Sequence, residues 1–470
     1  MTKYICNVCI FFFTTLLVAQ KKEMRLSMQQ AIDYAIKNNY NNKLALNNIK
    51  AAKKRKWETT TIGLPQINAT LDYRNWLKQQ VTLLPAAAFD NTQSTIDIVQ
   101  NYFENIVRND TEVVAPTNFI PLRFGTKQTV DASISLTQVI FDGSYLIGLQ
   151  SAKTYLKISE QAKKKTELAT REAVINAYGN VLVAQQTIKI LEKNKNILIK
   201  NLNETQKIYN NGLTEQENVE QLQITLGNVE SNLSNAKRML IITHKMLNLA
   251  LGNPIEKKIV LTDSLDKLIS LNTDLNLLTK VFNVENHIDY KMAENDRESK
   301  RLLMKFEQSK ALPSLAVFIN YGANANEDSF NFFNSNQKWY NYSLFGISIK
   351  LPLFSSFERE AKTARAKIEL ESSEIRKDEL TQKLYLEAEA AKSAYQLSIE
   401  NYQTNQKNLA LAERIEKKQQ IKFFEGLSSS FDLLQAQNQL YSQQNLYMQS
   451  MLNVIAKKAK LETALNAPIK

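Results

Sequence analysis

Cysteine is nearly absent from this chain: two in 470 residues, Cys6 and Cys9. Both sit in an apolar run, Ile5 to Val18, that follows Lys3 and holds Phe11-Phe12-Phe13 and Leu16-Leu17. The run is too short to span a bilayer as a mature helix. It reads as a secretory signal over residues 1–20, cut near Ala19 or Gln20. The mature chain is then expected to hold no cysteine, which excludes disulfides, thiol catalysis and cysteine-held metal. Neither cysteine follows the apolar core, so no lipid-attachment cysteine is expected. Histidine is as scarce: His244 and His287 each stand alone on a helical pattern, and neither is expected to bind metal or catalyse. No phosphate loop and no nucleophile–base pair stands out, so neither enzyme activity, ATP use nor a cofactor is expected. Helix breakers are few, 11 Gly and 8 Pro. A mean hydropathy of −0.33 with 44% apolar residues indicates a folded chain without membrane-spanning helices. The net charge of +12 is dispersed among Glu and Asn on helix faces, which reads as solvated helix surface, and no nucleic-acid partner is expected.

What the chain does have is period. Met24 to about Trp57 is helical in pattern, and Gly63-Leu64-Pro65 stops it. Ile67, Ala69, Leu71 and Tyr73 then alternate with Gln66, Asn68, Thr70, Asp72 and Arg74, a strand with one apolar and one polar face. After a long loop over 78–124, alternation resumes with Val130, Ala132, Ile134 and Leu136. From Gly143 to Tyr209 no proline occurs. A helix of that length reaches roughly 100 Å at about 1.5 Å per residue. Its later part carries a coiled-coil seam: Ala177, Val181, Ala184, Ile188, Leu191, Lys195, Leu198, Leu202, Thr205, Tyr209. A returning helix ends at Leu251-Gly252-Asn253-Pro254.

The pattern then starts again. A helix is expected over about Thr273–Lys310, strands over about 314–322 and 339–353, and a helical hairpin over 356–465. The two hairpins share a turn. Tyr209-Asn210-Asn211-Gly212-Leu213-Thr214 aligns with Phe423-Phe424-Glu425-Gly426-Leu427-Ser428 at a constant offset, the mark of a repeat. The expected organisation is residues 21–254 and 255–470 as two copies of helix, two strands and long helical hairpin. The first copy has strands at about 65–76 and 126–141 and a hairpin at 143–251. The hairpin tips fall at 210–214 and 424–430. Four amphipathic strands cannot close a barrel alone, and open edges are not tolerated in hydrocarbon. Three chains supply twelve strands, an even number in the known range.

This combination resembles the TolC family of outer membrane efflux proteins. The likeness rests on Leu26-Ser27-Met28-Gln29-Gln30-Ala31 opening the first helix, on the Leu64-Pro65 and Leu312-Pro313 strand starts, and on Gln138 to Gly143. It rests equally on the two Gly turns and the Leu251-Gly252 ending. The resemblance implies a mainly α chain with a membrane β-barrel: a homotrimer with a twelve-stranded barrel and an α-helical barrel crossing the periplasm of a Gram-negative bacterium. It implies an exit duct joined by a periplasmic adaptor (membrane fusion) protein and an inner-membrane transporter such as an RND or ABC pump. A type I protein secretion duct is the alternative, and a periplasmic coiled-coil spacer is the rival outside the family. By the family's pattern the Gly turns are the periplasmic gate, with Tyr209, Gly212, Asn218, Glu220, Phe423, Gly426, Asp432 and Gln435 as tip residues. The family's turn aspartate falls on Asp432, a second common aspartate falls on Gln435, and the equivalent in the first copy is Asn218. With so few carboxylates, strong cation preference is not expected. The acids Glu215, Glu217 and Glu220 also suit a plain helix start. Trp76, Trp339 and Tyr340 are expected at the lipid–water interface, touching outer membrane lipid, and 78–124 outside the cell.

Overall fold

A computed structural model describes residues 24–86, 118–273 and 275–466. The expected secretory segment and most of the 78–124 stretch lie outside them. The chain divides into two compact units. One comprises Met1–Lys56, Ser151–Met304 and Ala364–Lys470; the other comprises Trp57–Gln150 and Lys305–Thr363.

The second unit is built on a four-stranded antiparallel sheet. Its strands are β2 (Gln66–Asn75), β5 (Gln128–Asp142), β7 (Ser314–Glu327) and β8 (Tyr340–Lys350), in the spatial order β2-β5-β7-β8. β7 runs five residues past the expected end and β8 stops three residues short of it. Register explains the sheet's two faces. Ile67 pairs with Leu136, Leu71 with Ala132, and Tyr73 with Val130. Ile134 pairs with Tyr321 and Leu136 with Ile319. Ile319 in turn pairs with Phe345 and Leu315 with Ile349. Directly paired residues point to the same side. One face is therefore apolar across all four strands, while Asn68, Thr70, Asp72, Ser133, Ser135 and Asn320 stand on the other. The apolar face is uncovered: Ile67, Leu71, Ile134, Ile319, Phe345, Ile347 and Ile349 are all exposed. Among the described residues both outer strands, β2 and β8, have a free edge. Inside the long loop a separate ribbon pairs β3 (Val81–Pro85) with β4 (Phe119–Arg123), hidden in the sequence by Pro85 at the end of one strand and Pro121 in the middle of the other.

The other unit is helical. Helix α3 (Gly143–Asn210) and helix α4 (Gln216–Leu251) form the first hairpin. Helix α8 (Glu358–Phe424) and helix α9 (Ser430–Ala464) form the second. No described helix is long and apolar enough to cross a membrane. The expected helix from Met24 is broken up. Met24–Leu26 is a short strand, β1, and Ser27 caps a helix, α1 (Met28–Asn38), through a capping box with Gln30. A second helix, α2 (Tyr40–Thr61), follows. β1 pairs in parallel with β6 (Ile259–Leu261). Tyr178 ties this small sheet to the hairpins. Its fully buried hydroxyl donates to the Leu26 carbonyl at 3.0 Å and to Asp263 Oδ2 at 3.3 Å, and Met28 N donates to the same carboxylate at 2.8 Å. A helix α5 (Leu265–Asn272) precedes the one expected over Thr273–Lys310, which is likewise split, into a single turn α6 (Asn276–Thr279), a 3-10 turn at Val284–Asn286 and α7 (Ile288–Ser309). His287 closes the 3-10 turn: its Nδ1 accepts from Asp289 N at 3.2 Å, and burial lowers its pKa. That is a structural role.

Candidate functional site: the hairpin tips

The two hairpin turns have the same backbone. Gly212 and Gly426 both sit at φ +72°, in the left-handed region. Leu213 N donates to the Ile208 carbonyl at 3.1 Å, and Gly212 N to Tyr209 at 2.8 Å. At the second tip Leu427 N donates to Lys422 at 2.8 Å and Gly426 N to Phe423 at 3.1 Å. These are paired Schellman closures, which satisfy the last carbonyls of each helix and require a residue that tolerates positive φ. The following leucines have nothing to pack on: Leu213 is 77% exposed and Leu427 76%.

The next helix starts differently at the two tips. Ser429 caps α9: its Oγ accepts from Asp432 N at 3.2 Å. In return Asp432 Oδ2 accepts from Ser429 N at 3.2 Å and from Ser429 Oγ at 2.7 Å. Those bonds to Ser429 and a further one from Ser428 hold the Asp432 carboxyl below its ordinary pKa, so the group is ionised and exposed. α4 has no side-chain cap at Glu215. There Asn218 Nδ2 donates to Thr214 Oγ1 at 2.7 Å, while Asn218 Oδ1 accepts from the Ser430 hydroxyl of the other hairpin. Ser430 also reaches Gln221 Oε1 at 3.2 Å. Asn218 and Ser430 thus join the two tips. Ser430 had no signal in the sequence beyond membership of a Ser run.

The remaining expected tip residues are placed as follows. Tyr209 is half-buried, with its hydroxyl 3.4 Å from Gln216 Oε1. Phe423 packs edge-to-face on Phe424 at 5.4 Å between ring centres. Glu220 accepts from Gln216 Nε2 at 2.7 Å, an i,i+4 pair on one helix. Gln435 is exposed on α9. Trp76, Trp339 and Tyr340 belong to the sheet unit, all at the end of the strands remote from Gln66, Asp142, Ser314 and Lys350.

Behind the tips the packing between the hairpins is polar. The expected seam is buried at Ala177, Val181, Leu198 and Thr205, but Lys195 turns outward to pair with Glu230. Its place is taken by Asn194 and Asn201, which are buried and bonded to Gln444 (2.9 Å) and Gln420 (3.0 Å) of the second hairpin. Gln437 is fully buried with its amide beside the Glu416 carboxyl; the Thr205 hydroxyl and the Asn201 amide nitrogen are unpaired. Glu416 faces this layer. Burial pushes its carboxyl above the ordinary range, while the nearby Gln437 amide and Lys193 ammonium act in the opposite sense. Buried polar groups left partly unpaired make a contact layer cheaper to rearrange than an apolar seam.

The family model for outer membrane efflux proteins matches residues 118–253 and 284–467, more than half of the chain. The chain belongs to this family. Among curated relatives, the probable efflux pump outer membrane protein TtgC of Pseudomonas putida is 22% identical over 323 residues. The antibiotic efflux pump outer membrane protein ArpC of Pseudomonas putida matches equally. The alignment takes in 67% of this chain and spans 64% of the length of either relative. Solved structures match over more. VceC of Vibrio cholerae has a TM-score of 0.68 at 15% identity, covering 94% of this chain and 97% of its own. The open state of the Neisseria gonorrhoeae MtrE outer membrane channel has a TM-score of 0.67 at 16% identity, covering 94% and 89%. The fold of this family member is therefore that of outer membrane channels, a helical barrel segment with a β-barrel segment.

Proposed function

We propose that this efflux-family chain is the exit duct of a tripartite assembly, working as a homotrimer in the outer membrane of a Gram-negative bacterium with a large periplasmic portion. One observation carries the reading: a four-stranded sheet whose uncovered face is apolar on every strand and whose two edges are open. In water such a face is an aggregation site, and in hydrocarbon the open edges cost several kcal/mol per unpaired group. Closing three copies edge to edge, β2 of one against β8 of the next, resolves both. It gives a twelve-stranded barrel with Ile67, Leu71, Ile134 and Ile347 facing lipid and the Asn and Ser face lining water. On this reading the two copies, 21–254 and 255–470, arise by duplication, and residues 1–20 are the export signal.

The hairpin tips are the gate. Tyr209, Gly212, Asn218, Glu220, Phe423, Gly426, Asp432 and Gln435 surround it, with Asn218–Ser430 as the latch inside each protomer. The exposed Leu213 and Leu427 are the surface offered to a periplasmic adaptor, which couples the duct to an inner-membrane RND or ABC pump. Adaptor binding favours the opened arrangement, and conduction follows by population shift. The chain itself is passive, with no catalytic step. Trp76, Trp339 and Tyr340 mark the outer lipid interface. The test is reconstitution of the detergent-purified chain. We expect a trimer mass by light scattering and a mostly closed pore in planar bilayers. A monomer that enters no bilayer overturns the proposal and leaves the coiled-coil spacer; a polypeptide cargo released with a co-expressed pump favours the secretion duct.

A further inference from the structure

We propose that Phe318 and Tyr342 lie flat on the polar wall of the sheet, seated on Gly346 and Gly322, and that these two glycines set the width of the bore and so the size of cargo that passes. The inference rests on the barrel reading of the sheet. Register puts Phe318 opposite Gly346 and Tyr342 opposite Gly322, on the same face as Thr70, Asp131 and Ser133. On this polar face an aromatic ring gains nothing from lipid. Gly322 and Gly346 are the only glycines in the four strands, and each has an aromatic residue as its partner across β7 and β8. Glycine weakens a strand and marks a place where another group approaches the backbone closely. Here that group is a ring. A Cβ on Gly346 would stand under 3.0 Å from three ring carbons of Phe318, and one on Gly322 under 3.0 Å from three atoms of Tyr342, its hydroxyl oxygen among them. Gly322 is accordingly buried, and Gly346 is the one residue of β8 that is not exposed.

The Tyr342 hydroxyl fixes the direction of its ring. It donates to Asp131, 3.1 Å from Oδ1 and 3.2 Å from Oδ2. Asp131 belongs to β5, and β7 lies between β5 and β8. Strands are about 4.8 Å apart, so a side chain standing up from the sheet would not reach that far. The ring therefore crosses β7 over Gly322, parallel to the wall. The bond also gives Asp131 a donor beside Asp72, the like charge directly opposite it on β2. The two rings form two tiers of one bore. Positions 318 and 322 are separated by about 13 Å along β7, and closure of three copies presents three rings at each tier. Flat rings leave the middle of the duct to water and cargo, whereas rings driven upright would approach one another from three sides. A methyl group at either glycine takes the seat of its ring. Aromatic residues over strand glycines also stabilise sheets that enclose no duct, and the experiment separates the two roles.

A thiol on this wall reads the bore. No cysteine follows Cys9, so Ser135→Cys, which the register sets between the two tiers, is a single site once the secretory segment is removed. The protein is reconstituted in phospholipid vesicles and labelled with a small methanethiosulfonate or with a maleimide carrying a bulky rigid dye. With the tips closed, the bulky reagent enters past Tyr342. We expect both reagents to react when the glycines are native. Gly322→Ala should slow the bulky reagent about tenfold and the small one little, and adding Tyr342→Ala should restore the rate. Tyr342→Phe keeps the glycine and the shape of the ring but frees its tip from Asp131, and should slow the bulky reagent about threefold. An unchanged ratio of the two rates in Gly322→Ala overturns the proposal and leaves the glycines a role in the sheet alone; if that variant does not fold, Tyr342→Phe decides by the same ratio. A bulky reagent excluded already with native glycines overturns it too, because no wide bore is then being kept. If Ser135→Cys reacts with neither reagent, the face does not line water and the barrel reading fails instead.

Discussion

Asp432 combines two properties that substitutions separate. It closes the capping box of α9 and it places an ionised carboxylate at the tip. Asp432→Asn keeps an acceptor for the Ser429 amide and removes the charge, whereas Asp432→Ala removes both. We expect Asp432→Ala, and likewise Phe423→Ala, to leak in planar bilayers, and Asp432→Asn to stay closed with a small shift of reversal potential. Unchanged conductance in both leaky variants would sink the gate assignment. Ser429→Ala, which deletes only the cap, should lower stability by about 1 kcal/mol. Glu416 sets a pH dependence. Burial raises its carboxyl in the packed tip, so between the ordinary carboxylate value and the raised one the packed state holds a proton that the loosened state releases. Tip packing is therefore fully stable at acid pH and weakens as pH rises through that window. Opening frequency should rise with pH, and Glu416→Gln should flatten the profile; an unaltered profile in the variant argues that another group titrates.

At the scale of elements, the hairpin tips depend on two turns and on the cross-links of Ser430. Alanine at Gly212 or Gly426 finds no steric neighbour, since nothing lies within 4 Å of the added carbon. Its whole cost is the left-handed backbone, about 1 kcal/mol for each turn. Thermal melting of the two single variants and the double should show nearly additive losses. The Asn218–Ser430 bond is a tie between the hairpins at their tips, and a double-mutant cycle to alanine at both positions should return a coupling of about 0.5–1.5 kcal/mol. A coupling of zero would mean that the tips are held by the polar layer behind them instead. That layer shows why the buried seam follows the heptad pattern only in part. Positions 198 and 205 are buried as expected, but Asn194 and Asn201 replace the lysine and leucine of the ideal seam. Amides that find partners across the hairpins can be buried where a lysine cannot.

For the whole molecule, the decisive quantity is the uncovered apolar face of the sheet. A single Ile347→Asp substitution puts a charge on the proposed lipid face, three residues from the Lys350 end of β8, where burial in hydrocarbon costs less than the about 2–4 kcal/mol of a base at the midplane. In a trimer that charge is presented three times. We expect loss of heat-modifiable trimer from the detergent extract, while the helical unit keeps its far-UV signal. An equally stable trimer would show that this face is covered by protein. Salt should matter little to the assembly, because the acid that the register puts on this side of the sheet, Glu327, stands at the end remote from Ser314 and Lys350.

Local rules account for the features legible in the sequence. Period-2 alternation located β2 and β5 and named their apolar residues, because a strand's faces follow from backbone geometry alone. The absence of proline over more than sixty residues gave α3, and a glycine after an aromatic marked each turn, because helix ends need positive φ and free carbonyls need donors. These features depend on neighbours in the chain, and the sequence by itself determined them. Contacts between residues hundreds of positions apart are different. The pairing of Met24–Leu26 with Ile259–Leu261, the Ser430–Asn218 link and the complete burial of Gln437 have no local signature. A three-residue strand has too few periods to detect, and a serine or glutamine carries no mark of its distant partner. Tertiary structure decided these features, since each depends on which surfaces the rest of the fold leaves free.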